Sequence, residues 1–273
     1  MALNRRIYTI NTIDRLAGTS ENFSYHLAIP HDSKFDKVVV LNVAIPISFY
    51  LIQEGFNTFH IRENDIDRLI TLPPGNYSSA KTFALVLLPL LNADAPFGWI
   101  YSMSLPNGNL TANTGKFTYG VTGNLTQPSI ICTNQVNEQL GFAINSSNTF
   151  IDGTLVSSTV LNFGSEATLY LHSDIASNGD SDILQEIYTA NSVPFSYVTY
   201  QCTAPELYSK ALNTSQSDKF QFTLTNEKNQ ILNLNGVDMQ ITLALYQSDK
   251  TNDLIQRYIK FKTNKETGEE GAQ

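Results

Sequence analysis

The sequence predicts a mainly β protein, an antiparallel sandwich or barrel carrying a small α+β insertion. Three observations predict it. Short runs with a two-residue apolar period are separated by turn residues through most of the chain. Little helical periodicity lies between those runs, which argues against a parallel α/β sheet. From about 55 to 150 the pattern changes to strands mixed with helix, so this stretch is read as an insert between two strands of the sandwich.

The first strand is NFSYHLAIP (22–30), with Phe23, Tyr25, Leu27 and Ile29 on one face. KVVVLNVAIPISFYLI (37–52) is a long β-branched run. Its Pro46 has no N–H to give a ladder and predicts an edge, a bulge or a bend. The insert opens with NTFHIR (57–62) and LITLP (69–73).

The segment TLPPGNYSSAKTFALVLLPLLN (71–92) predicts the one sizeable helix. Pro73 and Pro74 keep the preceding chain extended, and Gly75-Asn76 turns it. Ser78 or Ser79 caps the N-terminus, a bond worth about 1 kcal/mol. Phe83, Val86, Leu87, Leu90 and Leu91 form the stripe to be buried. Pro89 predicts a bend or an early end. After the helix come WIYSMSL (99–105), an Asn107-Gly108 turn, KFTYGV (116–121) and SIICT (129–133). NEQLGF (137–142) reads as one helical turn ended by Gly141.

The sandwich resumes with SSTVLNF (157–163), EATLYLHSDI (166–175) and PFSYVTYQC (194–202). Residues 219–247 read as three successive strands, turned at NEKN and at Asn235-Gly236. The resulting division is an N-terminal arm (1–21), a discontinuous sandwich (22–54 and 151–250), an α+β insertion (55–150) and a polar C-terminal tail (251–273), expected to be mobile.

Charge and composition narrow the function. The net charge of −8 argues against a basic nucleic-acid groove, so no specific nucleic acid is expected as a partner. Arg5 and Arg6, and Lys260, Lys262 and Lys265, lie near the chain ends and read as solvated tails or, less often, as arms. Only 15% of residues are charged, against roughly 25% in typical domains, with Asn, Thr and Ser in their place. That fits a surface designed for burial against protein, and equally a Thr- and Asn-rich β protein. Cys132 and Cys202 have neither metal-like spacing nor the density of a stapled scaffold. No signal-like hydrophobic region opens the chain. The longest apolar run, Phe83 to Leu91, is nine residues and holds a proline. Spanning a bilayer takes about 20, and no membrane partner is expected.

No catalytic, cofactor or metal residues are assigned. Among His26, His31, His60 and His172 there is no His-x-His pair of the cupin kind. His172-Ser173-Asp174 are sequential, whereas triad members meet in space. The pairs Asp65/Asp67, Asp180/Asp182 and Glu269/Glu270 lie in polar, turn-like segments, which seldom shift a carboxyl toward acid–base work. DIASNGDSD (174–182) has the acids of a calcium loop without its order. PPGNYSSAK lacks the second glycine of a phosphate loop.

Taken in order, DRLAGTSENFSYHL (14–27), VAIPISFYLI and FNTFHI (within 43–61), ITLPPGNYSS (70–79), LGF (140–142), LYLHSDI (169–175) and LNLNGVDMQITLALYQ (232–247) resemble the minor capsid, or penton, proteins of virophages and polinton-type elements such as the mavirus group. The resemblance runs over about 8–247. It implies a single jelly roll and a virion protein with no enzymatic activity. Five copies would form a homopentameric capsomer at each icosahedral five-fold vertex. A separate double jelly-roll major capsid protein would fill the remaining positions.

From chemistry, Asp14 and Arg15 are the candidates for anchoring the N-terminal arm, through an Arg–carboxylate contact to self or neighbour. The rival reading is a jelly-roll binding module for host attachment or glycan recognition. It would need an exposed aromatic platform, for which Trp99, the single tryptophan, is the candidate.

Overall fold

The computed structural model describes residues 4–30, 32–105, 114–133, 135–164, 166–177, 182–189, 195–213 and 218–248. In chain order it begins with β1 (Arg5–Asn11), a 3-10 turn (Thr12–Asp14), β2 (Ala17–Gly18), β3 (Asn22–His26) and β4 (Lys37–Pro46). Next come β5 (Thr58–Glu63), β6 (Ile66–Thr71), α1 (Ala80–Ala93), β7 (Ile100–Ser104), β8 (Thr118–Thr122), β9 (Ser129–Ile131), α2 (Asn137–Leu140), β10 (Ser147–Thr149) and β11 (Thr154–Val156). The last group is β12 (Thr168–Ser173), β13 (Ala176–Ser177), β14 (Ile183–Tyr188), β15 (Tyr197–Gln201), α3 (Pro205–Tyr208), β16 (Lys210–Leu212), β17 (Lys219–Asn226) and β18 (Gln240–Tyr246). The chain divides into two compact units, one of Met1–Ser48 with Thr168–Gln273, the other of Phe49–Ala167.

The first unit is a single jelly roll. Its eight long strands pair as nested antiparallel partners: β1 with β18, β3 with β17, β4 with β15, and β12 with β14. The folded ribbon then rolls, joining β18 to β4 in one sheet and β17 to β12 in the other. The two sheets therefore run β1-β18-β4-β15 and β14-β12-β17-β3, the order that defines the architecture. β16 and β13 extend the first sheet beyond one end of β4, and β2 extends the second.

Alternation places Val38, Val40, Val43 and Ile45 of β4 and Ile241, Leu243 and Leu245 of β18 on the inner face. Phe23, Phe220, Phe222, Leu224, Leu169 and Leu171 supply the other sheet's buried side chains. Phe23 and Phe222 are cross-strand partners whose rings stack at 5.4 Å. A bulge between Thr242 and Leu243 of β18 sets the register along β4, which stops at Pro46.

Residues 1–21 are expected as an arm, but the described part, from residue 4, is built into this unit. β1 pairs along its whole length with β18, from Arg5↔Tyr246 to Asn11↔Gln240. It is an edge strand with one fully buried side chain, Ile10, which is why its apolar signal is weak in sequence. The expected three strands of 219–247 are two. Residues 227–239 form a loop that touches the ladder only at Thr225↔Ile231 and buries Leu232 and Leu234. Asn235 and Gly236 both have positive φ, 51° and 77°, as their turn requires. The tail 251–273 lies outside the described residues, as do the Asn107-Gly108 turn and residues 178–181 of the 174–182 loop.

The second unit has two sheets, β10-β9-β5-β6 and β11-β8-β7, with α1. Its boundaries enclose 49–54 and 151–167 as well as the expected 55–150. Residues 157–163, expected as a strand, form no ladder. Their N–H groups bond instead to four separated carbonyls, Phe117 (from Ser157), Gly141 (from Thr159), Gly115 (from Leu161) and Glu138 (from Asn162). Ser79 and Thr82 cap α1 reciprocally, and Phe83, Ala84, Leu87 and Leu91 are its buried residues. The helix continues past Pro89, contrary to expectation. Pro89 sits on the exposed side, and Leu85, whose carbonyl loses its partner, is also exposed, so the missing bond is not buried. Phe83 is the hub of the core, edge-on to Tyr77 at 5.5 Å and within 6.1 Å of Phe117 and 5.4 Å of Phe163.

Candidate functional site

Register identifies what the outer face of the β1-β18-β4 sheet presents. Its rows across β1, β18 and β4 are Arg5–Tyr246–Lys37, Ile7–Ala244–Val39, Thr9–Thr242–Asn42 and Asn11–Gln240–Ala44. One of these rows, Ile7–Ala244–Val39, is apolar, and in it Val39 and Ala244 are buried.

Between β15 and β16, both hydrogen-bonded to β4, residues 202–209 leave the sheet, and the single turn α3 packs against β4. Pro205 opens that turn, and the N–H groups of Leu207 and Tyr208 both reach the Ala204 carbonyl, at 3.1 and 3.3 Å. α3 therefore stands as a ridge. Leu207 is 77% exposed at its crest.

Grooves lie on both sides of the ridge. One, of about 410 Å³, is lined by Arg5, Ile7, Val39, Ala244 and Tyr246 of this face, with Leu41, Ala204, Pro205, Glu206 and Leu207. The other, of about 590 Å³, lies between β14 and the β15–β16 segment. Tyr188, Tyr200, Tyr208 and Leu207 line it, with Lys210. The Lys210 amine bonds the Ile183 carbonyl, and burial holds it below its usual value. Tyr188, beside Glu186, and Tyr200, by burial, are pushed up in pKa and stay neutral hydroxyls. Phe195 and Tyr197, also well exposed, adjoin in sequence. Aromatic side chains with one polar atom, and few free charges, are what protein interfaces concentrate.

Arg15 pairs with Asp238 and not with the adjacent Asp14. Its Nη1 donates to the Thr12 carbonyl at 2.7 Å and to Asp238 Oδ1 at 3.2 Å, and Nε donates to the Gly18 carbonyl at 3.0 Å. Thr12 and Ser20 hydroxyls donate to the same Asp238 oxygen. Asp14 is exposed at the end of the 3-10 turn. Trp99 is 7% exposed, tilted against Tyr101 at 6.5 Å in the core of the second unit, so it offers no aromatic platform.

His172 has both ring nitrogens bonded, to Asp182 and to the Thr225 hydroxyl, each at 2.9 Å. The order hydroxyl, imidazole, carboxylate is that of a triad. Thr225 is buried within β17, where no substrate reaches it, and the cluster ties β12 to its two neighbours. No local motif announces the α3 ridge. The signal available was the Ala204-Pro205 break, followed by Leu207 and Tyr208 in an otherwise polar stretch.

No protein-family model matches the sequence, and a comparison with curated proteins returns no match. Among solved structures the chain is similar to the crystal structure of the selenomethionine-labelled mavirus penton protein, with 12% identity over 89% of this chain and 99% of that one, at a TM-score of 0.43.

Proposed function

We propose that this chain is a structural capsid subunit, a penton protein whose five copies close into a ring at the five-fold vertices of an icosahedral virion. The observation that carries the reading is the α3 ridge, with exposed Leu207 at its crest and a groove on either side. A ridge and a groove on one subunit are the two halves of a heterologous contact, which closes into a ring when the rotation permits. The jelly-roll strand order and the ordered sequence resemblance support the same reading. The neighbours in the shell would be double jelly-roll major capsid subunits.

The test is the native mass and shape of the purified protein, alone and co-expressed with its major capsid protein. We expect pentamers, and incorporation into shells. Leu207→Glu, at an exposed position, should leave the monomer folded and abolish ring formation. A monomer that stays out of shells and binds glycan tightly would establish the attachment reading in its place.

A further inference from the structure

The strand registers of the second unit bring four loops to one end. Arg62 and Thr149 are both partners of Ser129, so the β5–β6 turn, the start of β9 and the end of β10 lie together. Ile100↔Thr122 and Thr154↔Gly120 do the same for the start of β7, the end of β8 and the start of β11. The loops at this end are the β5–β6 turn at 64–65, closed by Ile66 as the first residue of β6, and 94–98, 123–127 and 150–153. The unit's own chain connections leave from the other end, before Thr58 of β5 and after Val156 of β11.

These loops are bonded to one another. The Thr126 hydroxyl donates to Asn64 Oδ1 at 2.7 Å, and the Gly153 N–H to Gln127 Oε1 at 3.2 Å. Gly123 lies so close to Gly98 that a Cβ there would fall 2.0 Å from the Gly98 oxygen. The end is thus a braced surface and not a set of independent loops.

Its apolar content is concentrated outward. Phe97 is 105% exposed, Leu125 97%, Ile151 74% and Ile66 70%. Among the described residues these are the four most exposed large apolar side chains of the unit, and each comes from a different loop of this one end. The same loops carry Asp65, Asp94 and Asp152 and neither Lys nor Arg.

We infer that this end is a membrane-docking tip, which seats Phe97, Leu125, Ile151 and Ile66 in the interfacial layer of a zwitterionic lipid surface. Side chains surrounded by solvent on separate convex loops suit a fluid apolar medium, which closes around each of them; a protein partner would need four matching pockets. Interfacial binding scales with inserted apolar area and with charge attraction to the headgroups. Three carboxylates, with the neighbouring Arg62 already paired to Asp67, remove the second contribution on an anionic membrane, which selects neutral lipid. The sequence predicts no membrane partner because no segment is long enough to span. Docking at the interface needs no span.

The experiment uses the full chain, unassembled, with vesicles of phosphatidylcholine, read by co-sedimentation and by quenching of the single Trp99 with lipids brominated near the headgroup. Trp99 follows Phe97 by two residues, its N–H bonded to the Pro96 carbonyl at 2.9 Å, so it reports from beneath the tip. We expect binding that weakens as phosphatidylserine is added. Phe97→Asp with Leu125→Asp should lower the partition coefficient at least tenfold with an unchanged circular dichroism spectrum. Ile144→Asp, at the other end of the unit, should leave it unchanged. No association with phosphatidylcholine, association only when phosphatidylserine is present, or equal binding by the Phe97/Leu125 variant would overturn the inference. Assembly through α3 is read by particle mass and stands or falls separately.

Discussion

Arg68 and Glu63 form a two-pronged ion pair in the second unit, with Nε and Nη2 each 2.9 Å from a carboxylate oxygen. The same guanidinium donates to the carbonyls of Leu90 and Leu91 in the last turn of α1, at 3.1 and 2.8 Å. It therefore neutralises a buried carboxylate and satisfies carbonyls that a helix end leaves unpaired. A cation at this helix end also meets the negative pole of its dipole. Tyr101 closes the cluster, its hydroxyl 2.6 Å from Glu63.

Arg68→Ala should therefore be among the most damaging single changes in this unit. It strands a carboxylate that is 5% exposed, and breaking one side of a buried pair costs roughly 3–5 kcal/mol. Thermal denaturation checks this. A fall in Tm no larger than that of an exposed charge change, such as Lys81→Ala, would show that the pair is not coupled to folding.

Asp238 should matter more than Arg15. Its one oxygen accepts from Thr12, Ser20 and Arg15, and removing it frees two buried hydroxyls as well as the guanidinium. We expect about 2 kcal/mol for Asp238→Ala. Arg15→Ala should cost about 1 kcal/mol, since the pair is one-third exposed and screened. Both should speed amide exchange in β1, which this knot ties down. Deleting residues 1–20 should destabilise the jelly roll itself by baring the edge of β18.

Cys132 should be inert in the native protein. It is 2% exposed, and burial pushes its thiol up to about 12, so almost no thiolate exists at pH 8. Alkylation under native conditions followed by mass spectrometry should find any label on the half-buried Cys202, with Cys132 labelled only after unfolding.

The hydrogen bond from His172 holds the Asp182 carboxyl below its usual range. A depressed folded value stabilises above the unfolded value, about 3.9, and that contribution disappears as pH falls through the lower folded value. The Tm difference between wild type and Asp182→Asn should shrink as pH falls below about 4. Asp182 is largely exposed, so the difference should be small throughout. A gap that widened below about pH 4 would contradict the assignment.

Residues 22–26, 37–46 and 168–173 declare themselves by apolar alternation, Asn235-Gly236 by its turn chemistry, and α1 by its Ser79 cap and buried stripe. Each is a local signal, because backbone geometry and burial on one face repeat over a few residues. The mainly β class and the α+β insertion follow from such signals. The rest depended on partners far along the chain. β1 has one buried side chain and becomes a strand only because β18 lies beside it, more than two hundred residues on. Arg15 finds its carboxylate 223 residues away and not at the adjacent Asp14. Trp99 reads as a surface aromatic until the second unit closes over it. The α3 ridge and the four-loop tip are each made by registers joining strands distant in sequence. Periodicity records how a segment meets water, whereas strand pairing is chosen by the global burial of all the faces together, and only the tertiary structure decides that.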